Sequence, residues 1–177
     1  MDEPTRRLAI LRSQFRVATK EKCEFVKYAI NDEAHPEVWH VLLHGFAGDK
    51  GEYVGGEYIV RVELPEKFPF DPPKFYFLTP NGLYEKETVV CIDIGEYHKE
   101  NYRATLGVRG FVAQLVSGLI GWKTIGKGIS LLKTKVGEKQ RLAAASSSYN
   151  YTHHEAIMTA INASYDAYSA KWPAGNK

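Results

Sequence analysis

Four prolines fall within nine residues, at Pro65, Pro69, Pro72 and Pro73. Proline fixes φ at about −65° and has no backbone N–H, so none of the four fits a helix interior or a central strand. Residues 65–73 are therefore expected to form a rigid loop. The strands ahead of it carry apolar residues with a period of two, and after Cys91 the apolar residues recur with the period of a helix.

On the N-terminal side, residues 4–18 precede the strands and read as a helix with Leu8, Leu11 and Phe15 inward and Arg12 and Arg16 outward. Residues 23–30, 38–44 and 57–64 then read as strands. In the second, Trp39, Val41 and Leu43 share one side, and His40 and His44 share the other as surface histidines. Gly45 and the Gly-Asp-Lys-Gly of 48–51 supply a turn, so an antiparallel meander is expected. "KFYFL" (74–78) suits an edge or final strand. On the C-terminal side, Val108, Phe111, Val112, Leu115, Leu119 and Trp122 fall on one face of a helix over 105–122. Gly107, Gly110, Gly118 and Gly121 interrupt it, each costing about 1 kcal/mol against alanine, so packing must hold it. A shorter helix over 137–149 follows. Thr152 and Glu155 then form a capping box ahead of a last helix lined by Ile157, Ile161, Tyr165, Tyr168 and Trp172. This order is that of an α+β domain.

The chain of 177 residues is long enough for one continuous core, so residues 1–177 read as a single domain. Its 23 Lys and Arg nearly balance 21 Asp and Glu, which argues against a nucleic-acid or membrane footprint. Two cysteines make neither a disulfide framework nor a metal cluster, so no metal is expected. No apolar run approaches the roughly 20 residues that span a bilayer, and the charged N-terminus does not read as a signal peptide. A reducing, cytoplasmic location is the expectation. Taken by itself, Cys91 reads as a small buried hydrophobe, the usual fate of a free cysteine.

The order of motifs changes that reading. Trp39 to Gly45, Tyr53 to Gly56, Leu64-Pro65, Phe68 to Pro73, Thr79-Pro80-Asn81-Gly82 and Cys91-Ile92-Asp93-Ile94 follow one another and lead into a helix. This order resembles the ubiquitin-conjugating enzyme family over about residues 6–150, leaving an extra helix at about 152–172. The Thr-Pro-Asn-Gly and the spacing of ten residues from Asn81 to Cys91 resemble the divergent branch whose members are usually tail-anchored in the endoplasmic reticulum membrane. No apolar anchor follows the last helix here. That leaves two readings, a relative without an anchor and a chain cut before one.

The resemblance implies the ubiquitin-conjugating fold and a thioester of ubiquitin or a ubiquitin-like protein on Cys91, passed to a substrate lysine. It implies partnership with an activating enzyme, a RING-type ligase and a protein substrate. No cofactor is implied, because ATP is used by the upstream activating enzyme. Asn81 has two open roles, as donor to the oxyanion of the attacked carbonyl or as an amide that pins its loop. His98 matches a histidine of the branch, which is associated with transfer to serine and threonine as well. It reads either as a general base for hydroxyl attack or as a solvent-facing loop residue. Arg6, Arg12 and Arg16, with Leu64 and Ala104, are the implied partner-binding set. Tyr102 stands where the branch has Trp, and Ala104-Thr105 where Pro-Ala is usual. The alternative function is a catalytically inactive ubiquitin- or partner-binding module on the same fold, and Cys91 at the motif position argues against it. Cys23 keeps a structural role.

Overall fold

The structure, a computed structural model, describes residues 2–20, 23–30, 32–90, 99–121 and 131–171, with side chains as far as residue 164. Helix α1 (Glu3–Thr19) is started by Asp2, whose carboxylate accepts the Thr5 N–H at 3.0 Å, with Pro4 in the first turn. Strands β1 (Val26–Ala29), β2 (Val38–His44), β3 (Glu57–Glu63) and β4 (Lys74–Phe77) form one sheet in the order β1-β2-β3-β4, antiparallel throughout. The turn between β2 and β3 needs glycine at Gly48. Its φ is +76°, and a Cβ there would lie 2.7 Å from Glu52 Oε2. The proline loop 65–73 contains neither strand nor helix, and its Phe68–Pro69 peptide is cis.

One sheet face carries Trp39, Val41, Leu43, Tyr58, Val60, Val62, Phe75 and Phe77, all buried. Helices α1 and α2 (Gly107–Ile120) cover it. Phe15 of α1 meets Trp39 edge to face at 5.2 Å, and Phe111 of α2 stacks on Phe75 at 5.5 Å. The buried face of α2 is the expected one through Leu119, and Trp122 lies outside the described residues.

The other sheet face departs from the sequence expectation. Ala29, Leu42, Ile59 and Leu78 form a second apolar layer with Met158 and Ile161 of α4 (Glu155–Lys171). His40 points into this layer and is buried, not at the surface, because α4 lies over it. His44 is half-buried. The capping box is also absent. Helix α3 (Val136–His153) runs four residues past the expected end, held by buried Lys139, Ala143, Ser146 and Asn150 on one stripe. Thr152 therefore sits in the last turn of α3. The break between the helices falls at His154, whose N–H donates to Asn150 O at 2.7 Å.

Burial, then the charges of Arg61 and His154, pushes the His40 pKa from 6.5 down to about 4. The folded protein holds it neutral, whereas the unfolded chain protonates it near 6.5. Its contribution to stability is whole above that value and is lost as pH falls towards 4. Urea unfolding at about pH 7.5 and about pH 5 should differ by roughly 2 kcal/mol from this group. His44 and His154 are shifted in the same direction and add to the difference. A His40→Leu variant should lose the His40 share of this pH dependence, and an unchanged dependence would contradict the assignment.

Candidate active site

Beyond β4 the chain turns through Thr79-Pro80-Asn81-Gly82-Leu83-Tyr84, and the turn is organised from within by one side chain. Asn81 is only 1 % exposed. Its Oδ1 accepts the N–H groups of Leu83 and Tyr84, both at 2.8 Å. Its Nδ2 donates to the carbonyls of Thr79 at 3.4 Å and Tyr84 at 3.3 Å. The two acceptor bonds are short and the two donor bonds are longer than the usual N–H···O range. The carbonyl half of the amide is thus fixed by the loop, and the NH₂ half is held more loosely. This is the bonding of the loop-pinning role, and it leaves the NH₂ group as the part least committed to the backbone.

Gly82 lets α3 close against the loop. A Cβ on Gly82 (φ +75°) would lie 2.8 Å from Lys139 Cγ and 3.2 Å from Thr134 Cγ2. Lys139 is buried, its Nζ 5.7 Å from the centre of the Tyr53 ring. Burial pushes its amine pKa down, and the charge of buried Glu52 opposes that shift. Past the loop, Tyr84 stacks on Phe77 at 5.1 Å. Val90 is buried and donates to Phe75 O at 2.8 Å. The chain is thus anchored to β4 up to the residue before Cys91. Cys91 and His98 lie outside the described residues. Cys23, outside the named strands, forms an isolated bridge with Val26 and is half-buried.

The expected partner-binding residues divide. Arg6, Arg12 and Arg16 are exposed on α1, and Ala104 is half-buried in a 3₁₀ turn, Ala104–Leu106. Leu64 is 3 % exposed and packs in the main core, so its side chain offers no surface to a partner. Its position at the end of β3 makes it a core residue. The exposed apolar side chain of the proline loop is Phe70, at 78 %. Sequence reasoning missed it because Phe68, Phe70 and Phe75 look alike as letters, although Phe68 and Phe75 are buried. Arg7 was also missed as a positioning group. Its guanidinium donates to the carbonyls of Pro65 (2.9 Å), Leu64 (3.3 Å) and Glu66, tying α1 to the proline loop. Tyr102 ties the same loop at a second point, donating to Pro69 O at 2.7 Å while its ring packs on Phe111. Burial, then the charge of Asp71, pushes its phenol up to about 12. Gln14 of α1 lies against Gly107, which follows the 3₁₀ turn. Helix α1, the proline loop and the turn before α2 are therefore contiguous.

Among the described residues, no group of three or more His, Cys, Asp and Glu is placed to hold a metal ion. Among them too, no helix is long and apolar enough to cross a membrane.

A profile of the ubiquitin-conjugating enzyme family matches residues 10–120. The chain is 29 % identical over 143 residues to probable ubiquitin-conjugating enzyme E2 33 of Arabidopsis thaliana, covering 79 % of this chain and 55 % of that one. Over 79 residues it is 39 % identical to ubiquitin-conjugating enzyme E2 32 of the same plant, covering 45 % of this chain and 25 % of that one. It is also 29 % identical over 112 residues to ubiquitin-conjugating enzyme E2 J2 of Homo sapiens, covering 63 % and 41 %. The chain thus spans from a quarter to just over half of the length of these relatives. Its fold is similar to that of human ubiquitin-conjugating enzyme E2 G1, with a TM-score of 0.54 and 24 % identity, covering 64 % of this chain and 93 % of that one.

Replacing Asn81 by alanine removes the one oxygen that accepts from the Leu83 and Tyr84 N–H groups, a change that costs about 1–3 kcal/mol for each donor left unsatisfied. Amide hydrogen exchange at Leu83 and Tyr84 should accelerate in Asn81→Ala. Asn81→Asp keeps an acceptor oxygen and should retain most of that protection. Equal exchange in Asn81→Ala and the parent would show that the side chain does not hold the loop.

Proposed function

The chain belongs to the ubiquitin-conjugating enzyme family, and from that membership we propose that it carries ubiquitin or a ubiquitin-like protein as a thioester on Cys91. The observation that carries the reading is the family match over residues 10–120, which spans both the Asn81 loop and Cys91. A thiolate at Cys91 attacks the carbonyl of an incoming thioester, and the sulfur of the activating enzyme leaves as thiolate. The amine of a substrate lysine later attacks the same carbonyl, loses its proton, and expels the Cys91 thiolate. A free cysteine thiol titrates at about 8.5, so a modest thiolate fraction supports the exchange near neutral pH. Each attack builds negative charge on the carbonyl oxygen, and the loosely held NH₂ group of Asn81 is the donor assigned to it. The alternative, an inactive binding module, leaves Cys91 at the motif position without a use.

Partners belong to the same reading. The exposed Arg6, Arg12 and Arg16 suit an acidic surface of the activating enzyme, an attraction that weakens with salt. A RING-type ligase would dock on the contiguous proline loop and 3₁₀ turn through Phe70 and Ala104, with Phe70 taking the contact first expected of Leu64. The acceptor set includes hydroxyls if His98 serves as base, since a hydroxyl must lose its proton to attack. A site of action on the cytosolic face of the endoplasmic reticulum rests on the branch resemblance.

Incubation with activating enzyme, ATP and ubiquitin should give an adduct of ubiquitin mass that reductant removes. Cys91→Ala should abolish it and Cys23→Ser should leave it. A charged Cys91→Ala protein would sink the assignment. Phe70→Asp should slow ligase-stimulated discharge while sparing charging. His98→Ala should suppress discharge onto free threonine while sparing lysine. Full threonine activity in that variant would remove His98 from the chemistry.

A further inference from the structure

Helix α3 lies beyond the family match, yet three of its polar side chains, Lys139, Ser146 and Asn150, are buried. The last two sit where the edge of β3 loses its strand partner. The pairing of β4 with β3 stops at Val60↔Phe77, with one further bond from Leu78 N–H to Ile59 O at 2.9 Å. Towards the start of β3 the remaining backbone groups still need partners in a dry environment. Side chains supply them. The Ile59 N–H donates to the Thr79 hydroxyl at 2.9 Å, and the Glu57 N–H donates to the Ser146 hydroxyl at 2.8 Å. The Glu57 carbonyl accepts from Asn150 Nδ2 at 2.9 Å. Asn150 and Thr79, both 0 % exposed, close the set: the Thr79 hydroxyl donates to Asn150 Oδ1 at 2.5 Å.

The residue types follow from this wiring. Position 150 needs a donor towards the Glu57 carbonyl and an acceptor towards Thr79, which a primary amide offers and a carboxylate or an alkyl group does not. Position 79 needs a hydroxyl that accepts from Ile59 and donates to Asn150 at once. Thr79 is also the first residue of the Asn81 loop, and its carbonyl is one of the two that Asn81 Nδ2 reaches. A continuous path therefore runs from α3 through Asn150 and Thr79 to the amide group assigned to the oxyanion.

We propose that Asn150 is a positioning residue for acyl transfer, and that through the Thr79 hydroxyl it sets where the Asn81 loop stands. The proposal rests on the conjugating function proposed above. It extends the working parts into a helix beyond the profile match over residues 10–120. Thr79 acts as the relay, and Thr79 and Asn150 act as one unit.

The test uses the full chain with Thr79→Val, Thr79→Ser, Asn150→Leu and the Thr79→Val/Asn150→Leu double variant. In single turnover, a preformed ubiquitin thioester should discharge onto free lysine about tenfold or more slowly in Thr79→Val and Asn150→Leu, the scale of loss that small misplacements cause. Charging should stay within about twofold, because the activating enzyme supplies its own site for that step. Thr79→Ser should restore discharge, and the double variant should be no slower than the worse single one. Amide exchange at Leu83 and Tyr84 should accelerate in Thr79→Val and Asn150→Leu and not in Thr79→Ser. Ile161→Ala, on the buried face of α4, controls for general loss of stability, and it should lower the melting temperature with the ratio of discharge to charging unchanged. Unchanged exchange at Leu83 and Tyr84, or discharge and charging falling in parallel as in Ile161→Ala, would overturn the proposal. A parent protein that takes no thioester would overturn the conjugating function instead, and the exchange measurements would still decide whether Asn150 holds the loop.

Discussion

A sheet whose side chains are apolar on both faces has to be covered twice, and everything else in this molecule is arranged around that requirement. Strand β2 buries Trp39, Val41 and Leu43 on one side and His40 and Leu42 on the other. Helices α1 and α2 close the first side, and α4 closes the second. Helix α3 lies where β3 runs on past β4, and three of the four residues of its buried stripe, Lys139, Ser146 and Asn150, are polar. An edge offers backbone N–H and C=O groups, and only polar side chains can satisfy them.

The candidate site inherits its geometry from this division. The Asn81 loop leaves the sheet where β4 ends, so it emerges between the β3 edge and α3. Lys139 fills the space that the missing Cβ of Gly82 provides, and Asn81 gathers the loop's own amides inward. The proposed docking face is assembled separately. Arg7 holds the start of the proline loop and Tyr102 holds Pro69, and Phe70, the next residue, is exposed. Two devices of different chemistry thus hold the Asn81 loop and the proline loop. One is a buried amide and hydroxyl network, and the other is a guanidinium and a phenol reaching backbone carbonyls.

The parts legible in the sequence were those written in local pattern. The meander followed from alternation, the proline loop from its four prolines, and the inner face of α2 from Val108, Phe111, Val112 and Leu115. One misreading came from assuming one wet face. His40 looks like a surface residue on an alternating strand until α4, more than a hundred residues later, is laid over it. Thr152 and Glu155 have the letters of a capping box, but the tertiary bonds of Ser146 and Asn150 hold α3 past that point. Leu64 followed from a family position, and its burial in the core was invisible in the letters. The Thr79–Asn150 bond has no local signature at all.

That bond joins residues 71 apart, and the two from α3 to Glu57 join residues 89 and 93 apart. Contacts of such separation close late in folding, because the entropy of a long loop is spent before the contact repays it. During synthesis the N-terminal part of a chain is also free to organise first. The meander can pair as soon as β3 and β4 have been made, since each of its strands neighbours the next. If Asn150 holds the Asn81 loop, the placement of that loop waits on a helix made after every strand of the sheet.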